Sequence, residues 1–123
     1  MAKTIALVDD SKTLLASVGA ILSGAGFVTR TYEDPTRALA ELPTFAADLV
    51  ITDLNMPNMD GIQLIRELRK LPAYKFTPVL LLTTESQAEK RAEAKAAGAT
   101  GWLVKPVKSQ DLIAVIKKVV PGA

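Results

Sequence analysis

The stretch Leu49-Val50-Ile51-Thr52-Asp53-Leu54-Asn55-Met56-Pro57 decides the fold. Leu49 to Thr52 are apolar or β-branched and suit a strand covered on both faces. The run then meets a carboxylate, Asp53, where Asn55, Pro57 and Gly61 turn the chain. A solvated loop acid is one reading of Asp53, and an acid held for chemistry at the lip of a sheet is the other.

Four further runs resemble it. Thr4–Asp10 (TIALVDD), Phe27–Glu33 (FVTRTYE), Pro78–Thr84 (PVLLLTT) and Gly101–Lys105 (GWLVK) read as strands, and Asp48–Asp53 (DLVITD) is the third of the five. Phe27–Glu33 alternates apolar with polar residues, which suits an edge. Helical patterns separate the strands. Leu14, Val18, Ile21 and Leu22 share one stripe that stops near Gly24 and Gly26, and Asp34–Pro35 opens a short helix to about Leu42. Ile62–Leu71 is the third helix. Ser86 and Glu89 have capping-box spacing ahead of an alanine-rich fourth helix that ends at Gly98 and offers Ala88, Ala92 and Ala96 to the core. Ser109 is expected to cap a last helix that turns Leu112, Val115, Ile116 and Val119 toward the sheet. That leaves an adjoining strip of Ile113, Lys117 and Val120.

Strict strand–helix alternation predicts a doubly wound α/β domain, a parallel sheet with helices on both faces. Ligands of such sheets bind beyond the carboxyl ends of the strands. The residues that end the strands are therefore the informative ones: Asp9 and Asp10, Asp53, Thr83 and Thr84, and Lys105.

Composition narrows the chemistry. At 123 residues the chain has the size of one domain, expected to span 1–123 with no output module. It has neither Cys nor His, so thiolate and imidazole chemistry are excluded and a bound metal needs oxygen ligands. No apolar run reaches the ~20 residues of a membrane span, and a secretory leader pattern is missing, so a cytoplasmic location is expected. The net charge is +2. The basic residues are dispersed and few aromatics interleave them, which argues against a nucleic-acid surface.

Close pairs among three gathered carboxylates repel by up to about 4 kcal/mol at an effective dielectric near 20. Lys105 and a hard cation such as Mg2+ are the available counter-charges, with Asn55 able to add an uncharged oxygen. A carboxylate pinned in this way is placed to attack a phosphoryl group, a transfer that depends mainly on positioning and charge neutralisation.

VDDS at Val8–Ser11, DLNMPNMDG at Asp53–Gly61, LLTTE at Leu81–Glu85 and WLVKP at Trp102–Pro106 together resemble the receiver domain of two-component response regulators, and most of all single-domain chemotaxis receivers of the CheY type. The resemblance covers essentially the whole chain. It implies a (βα)5 flavodoxin-like fold with strand order 2-1-3-4-5. It implies Asp53 as phosphoacceptor, with Mg2+ held by Asp9, Asp10, Asp53 and the Asn55 backbone carbonyl. Thr83, Thr84 and Lys105 would contact the phosphoryl group, Asn55 and Glu85 would modulate self-dephosphorylation, and the Lys105–Pro106 peptide would be cis. Trp102 stands where chemotaxis receivers commonly carry tyrosine; an indole is bulkier and has no hydroxyl to bond.

The implied function is a stand-alone, monomeric regulator. It would take a phosphoryl group from a histidine kinase and switch a face containing Trp102, Ile113, Lys117 and Val120 toward a protein such as a flagellar motor switch. A phosphate sink or a non-chemotaxis receiver is the alternative within the family. A Mg2+-dependent aspartate-nucleophile phosphatase is the alternative of another class, though the chain has no insertion to build a substrate cap. An FMN carrier would need an electropositive loop where Asp9-Asp10-Ser11 is acidic, and the nearest P-loop match, Gly19–Gly24, continues with Ala25 where lysine is required.

Overall fold

The computed structural model describes residues 2–84 and 87–123. Strands β1 (Thr4–Val8), β2 (Val28–Tyr32), β3 (Leu49–Thr52), β4 (Val79–Thr83) and β5 (Gly101–Val104) alternate with helices α1 (Lys12–Gly24), α2 (Pro35–Glu41), α3 (Gly61–Lys70), α4 (Ala88–Ala97) and α5 (Ser109–Val119). Every strand pairing is parallel and the order is β2-β1-β3-β4-β5, with β2 and β5 as the edges.

The pleat divides the interior into two cores. In β1, Ile5 and Leu7 face Leu15, Val18 and Leu22 of α1 and Leu112 and Ile116 of α5. Ala6 and Val8 face the opposite way, toward Ala38 of α2, Leu64, Ile65 and Leu68 of α3, and Ala94 of α4. The three inner strands are therefore apolar along their length, because helices cover both of their sides.

Local chemistry accounts for the helix starts. Ser11 Oγ accepts from Leu14 N (3.2 Å) and Asp34 accepts from Thr36 N (2.9 Å) with Pro35 opening α2. Asp60 and Gln63 form a reciprocal capping box at α3. Ser109 is not a cap: Lys108 holds that position without a side-chain bond and Ser109 is the first helical residue. The proposed Ser86 cap lies outside the described residues.

Two packing expectations are corrected. In α4 the core-facing residue is Ala94, 1% exposed, with Ala97 partly covered, whereas Ala88, Ala92 and Ala96 face solvent. A helix so rich in alanine has little apolar contrast, and its orientation is set by the surface that receives it. Val120 is 2% exposed in the α1/α5 core rather than on an outer strip, because it follows Leu112 and Ile116 at four-residue spacing on the same buried stripe and its N–H still donates to Ile116 O (2.9 Å). Ile113 and Lys117 line a groove against Ala20 and Ile21 of α1, while Trp102 packs with the core on the other side of the sheet. The four residues expected to share one face do not do so.

Gly61 fixes the loop that carries the central acid. Its N–H donates to Leu54 O (2.8 Å), and a Cβ here would run into the Asp53 carbonyl oxygen and come within 2.9 Å of Leu81 Cδ2. Gly61→Ala is expected to cost about 3 kcal/mol, the upper range for overpacking, because backbone as well as side chain must move. Urea unfolding checks this, and a loss below about 1 kcal/mol would contradict such a close approach.

Candidate functional site

The strand order reverses at β1, with β2 on one side and β3 on the other, and this opens a crevice beyond the carboxyl ends of β1 and β3. Each key side chain is the first residue past a strand and still holds a ladder bond. Asp9 N donates to Tyr32 O (3.0 Å), Asp53 N to Val8 O (2.9 Å) and Lys105 N to Thr83 O (2.8 Å). The sheet therefore sets their backbones, and the loops have only to leave room. Thr52, fully buried, helps by donating its hydroxyl to the Asp53 carbonyl at 2.9 Å.

Lys105 Nζ donates to Asp9 Oδ2 at 2.8 Å and lies 3.5 Å from Asp53 Oδ1. The side chain of Asp9 is 2% exposed, that of Asp53 11% and that of Lys105 17%. Asp9 Oδ1 accepts from Ser11 N (2.9 Å) and Asp53 Oδ1 from Leu54 N (2.8 Å), so backbone donors orient both acids. Asp10 is exposed, and its carboxylate completes a cluster in which one oxygen from each of Asp9, Asp10 and Asp53 lies within 4.8 Å of the others.

Burial pushes the Asp53 carboxyl above the ordinary carboxylate range. Lys105 pulls it down, Asp9 pushes it up, and hydrogen bonds from Leu54 N–H and the Thr83 hydroxyl pull it down, without cancelling the first effect. One ammonium thus serves an excess of negative charge. The donor set, three convergent carboxylate oxygens with no sulfur or imidazole, fits a hard divalent cation.

Thr83 is fully buried at the end of β4, and Thr84 is exposed beside it. Asn55 is exposed in the loop after β3, and the Lys105–Pro106 bond is cis. Glu85 lies outside the described residues. Trp102, on edge strand β5, is half-buried, with the Arg91 guanidinium of α4 over its ring at 5.7 Å. Ser11, which orients Asp9, and Arg69, described below, were not singled out by the sequence. Ser11 was legible as the residue between an acid pair and a helix; Arg69 gave no signal beyond being one of many dispersed cations.

The response regulator receiver domain model matches residues 5–117, all but the two ends of the chain. The chain belongs to the receiver domain family. It is similar to the chemotaxis protein CheY of Pseudomonas aeruginosa, 38% identical over 116 residues that make up 94% of each chain. The solved structure of the chemotaxis protein CheY4 of Vibrio cholerae superposes with a TM-score of 0.94 at 40% identity, covering 98% of this chain and 100% of that one. The regulatory protein VanRc of Enterococcus gallinarum is 32% identical over 117 residues, which are 95% of this chain but 49% of that protein. As a CheY-like receiver the chain is a phosphoacceptor signalling domain, not an enzyme that turns over a substrate. Its cluster of Asp9, Asp10 and Asp53 resembles the metal pocket of such a domain. Family membership implies a histidine kinase as phosphodonor and a protein partner downstream. Among the described residues no helix is long and apolar enough to cross a membrane.

Proposed function

We propose that this chain is a chemotaxis-type response regulator that accepts a phosphoryl group on Asp53 and signals through the region of α4, β5 and α5. The observation that carries the reading is the Asp53 carboxylate, buried in the crevice 3.5 Å from the Lys105 ammonium and clustered with Asp9 and Asp10.

An Asp53 carboxylate oxygen attacks phosphorus, the bond from phosphorus to the donor imidazole nitrogen breaks, and that nitrogen leaves with its electron pair. The backbone N–H of Leu54 and the hydroxyl of Thr83 hold the attacking carboxylate, which limits its rotation before attack. Lys105 stands close enough to neutralise one oxygen of the transferred group, and Thr83 is positioned to follow another. Asp9, Asp10, Asp53 and the Asn55 carbonyl would hold Mg2+, which when bound supplies the positive charge that three acids and a phosphoryl group require. Asn55 and Glu85 would govern the lifetime of the acyl phosphate.

Trp102 and Arg91 mark where the signal leaves the site, since they join β5 to α4 on the flank next to Thr83. Similarity to chemotaxis proteins over nearly full length favours a flagellar motor switch as the target. The test is direct binding of motor-switch peptides to the protein before and after labelling with a small phosphodonor. The labelled form is expected to bind about tenfold more tightly or better, the usual scale of coupling between two sites. Equal binding would remove the motor switch as target.

Metal dependence is tested separately. Mg2+ titration followed by Trp102 fluorescence and calorimetry should saturate, and chelation should bring phosphoryl incorporation to background. Full incorporation in chelator would remove the metal from the reading.

A further inference from the structure

Helix α4 is fastened unequally at its two ends. Its body has a weak seat: among the described residues only Ala94 is fully buried, the Arg66–Glu93 pair at 3.8 Å is exposed, and Arg91 meets Trp102 at 5.7 Å. At the end that follows β4, Gln87 holds the cap position and makes no side-chain capping bond among the described residues.

The far end is different. Arg69, in the last turn of α3, donates to Gly98 O from Nη2 (2.7 Å) and from Nε (3.3 Å), while Nη1 donates to Tyr74 O (2.8 Å) and Thr77 O (2.6 Å). One guanidinium thus ties the C-cap of α4 to the segment leading into β4. Gly98 sits at φ +110, and a Cβ there would come within 2.9 Å of Arg69 Nε, so the approach is close as well as bonded. Just beyond, Thr100 N donates to Val79 O (2.8 Å) and Val79 N to Thr100 Oγ1 (3.0 Å). Among the described residues no carboxylate pairs with Arg69. Its charge is met by carbonyl oxygens, a geometry that a planar fork satisfies and an ammonium does not.

We infer that Arg69 is the pivot of α4: it holds the Gly98 end fixed while the Gln87 end swings in response to the state of the Asp53 site. The inference rests on the phosphoacceptor reading and deepens it. The helix is about 15 Å long, so a tilt of about 10° moves its free end by about 2.5 Å while the pinned end barely shifts. Arg69 is then a positioning residue of the switch, and Asp53 chemistry proceeds without it.

The experiment uses the full chain with Mg2+ and beryllofluoride, a phosphoryl mimic, read by fluorine resonance for occupancy and by amide hydrogen exchange for α4. In the native protein, occupancy should change exchange at 88–92 by about tenfold or more and at 96–99 by less than about twofold. Arg69→Met should bind the mimic equally, yet spread the change over 88–99. Arg69→Lys, which keeps the charge and loses the fork, should fall between. A purely structural Arg69 would raise exchange across the domain regardless of the mimic. A uniform change along α4 in the native protein, no change at all, or a graded pattern kept in Arg69→Met overturns the pivot. If Arg69→Met does not fold, the native profile and Arg69→Lys decide. Absence of a bound fluorine resonance in the native protein would overturn the phosphoacceptor reading and the pivot with it.

Discussion

Asp53→Asn is expected to bring phosphoryl incorporation to background while making the metal-free protein more stable. The first effect follows because an amide has no carboxylate oxygen to form the acyl phosphate. The second follows from the crevice electrostatics. Burial is the largest influence on Asp53, Asp9 adds repulsion, and Lys105 offsets only part of the sum, so the folded state disfavours the ionised form. A carboxyl raised in this way contributes stability below its ordinary unfolded range, and that contribution is lost as pH rises through the folded value. The native protein should therefore lose stability across that window while the Asn variant does not. Above it the variant should be more stable by about 1 kcal/mol, or roughly 3–6 °C in Tm for a domain of this size. Saturating Mg2+ should favour the native protein and shrink or reverse the difference. Thermal melts from pH 4 to 8, with and without Mg2+, test the stability claim. Retained stoichiometric labelling would move the acceptor elsewhere, and a less stable variant at neutral pH would mean that Lys105 outweighs burial.

Lys105→Met should act in the opposite direction. The ammonium lies 2.8 Å from an Asp9 side chain that is 2% exposed and 3.5 Å from Asp53. Deleting it leaves two enclosed carboxylates without a cation. Breaking an enclosed pair from one side costs about 3–5 kcal/mol, and the exposed Asp10 side of the crevice puts this case near 3. Tm should fall by roughly 10 °C in chelator, with much of the loss returned by Mg2+. Adding Asp9→Asn should restore part of it, so that the double variant is less destabilised than Lys105→Met alone. Denaturant unfolding of the four proteins reads this directly; an unchanged midpoint in Lys105→Met would show that water already shields the acids. Because Asp53 keeps its oxygen, labelling should survive while the partner response weakens.

Much of the site was readable along the chain because the sheet itself delivers it. Asp9, Asp53 and Lys105 each follow an apolar run, and a strand that ends at a defined ladder bond leaves its next residue in a defined place. Asp10 followed from adjacency to Asp9. The strands are shorter than the stretches read as strands: β1 stops at Val8 and β3 at Thr52, where the apolar runs end, so the acids stand outside the strands rather than within them.

Helix faces were less legible where composition was uniform. In α3, Ile62, Leu64, Ile65 and Leu68 contrast with Gln63, Arg66 and Glu67, and the buried side follows from that contrast. In α4 alanine recurs on every side, and tertiary contact chose Ala94. Val120 was legible by contrast, since it continues the buried Leu112–Ile116 stripe at four-residue spacing and its N–H still bonds Ile116 O at the C-cap.

By itself the sequence determined the alternation of strands and helices, the parallel sheet, the oxygen-only chemistry and the identity of the convergent acids. These depend on local periodicity and residue type, which act over a few neighbours. Only the tertiary structure decided that Lys105 bonds Asp9 more closely than Asp53, that Trp102 and Ile113 lie on opposite sides of the sheet, and that Arg69 reaches across to Gly98. Those outcomes join residues 29 to 96 positions apart, or opposite sides of the sheet, and the distances that settle them exist only once both cores have packed.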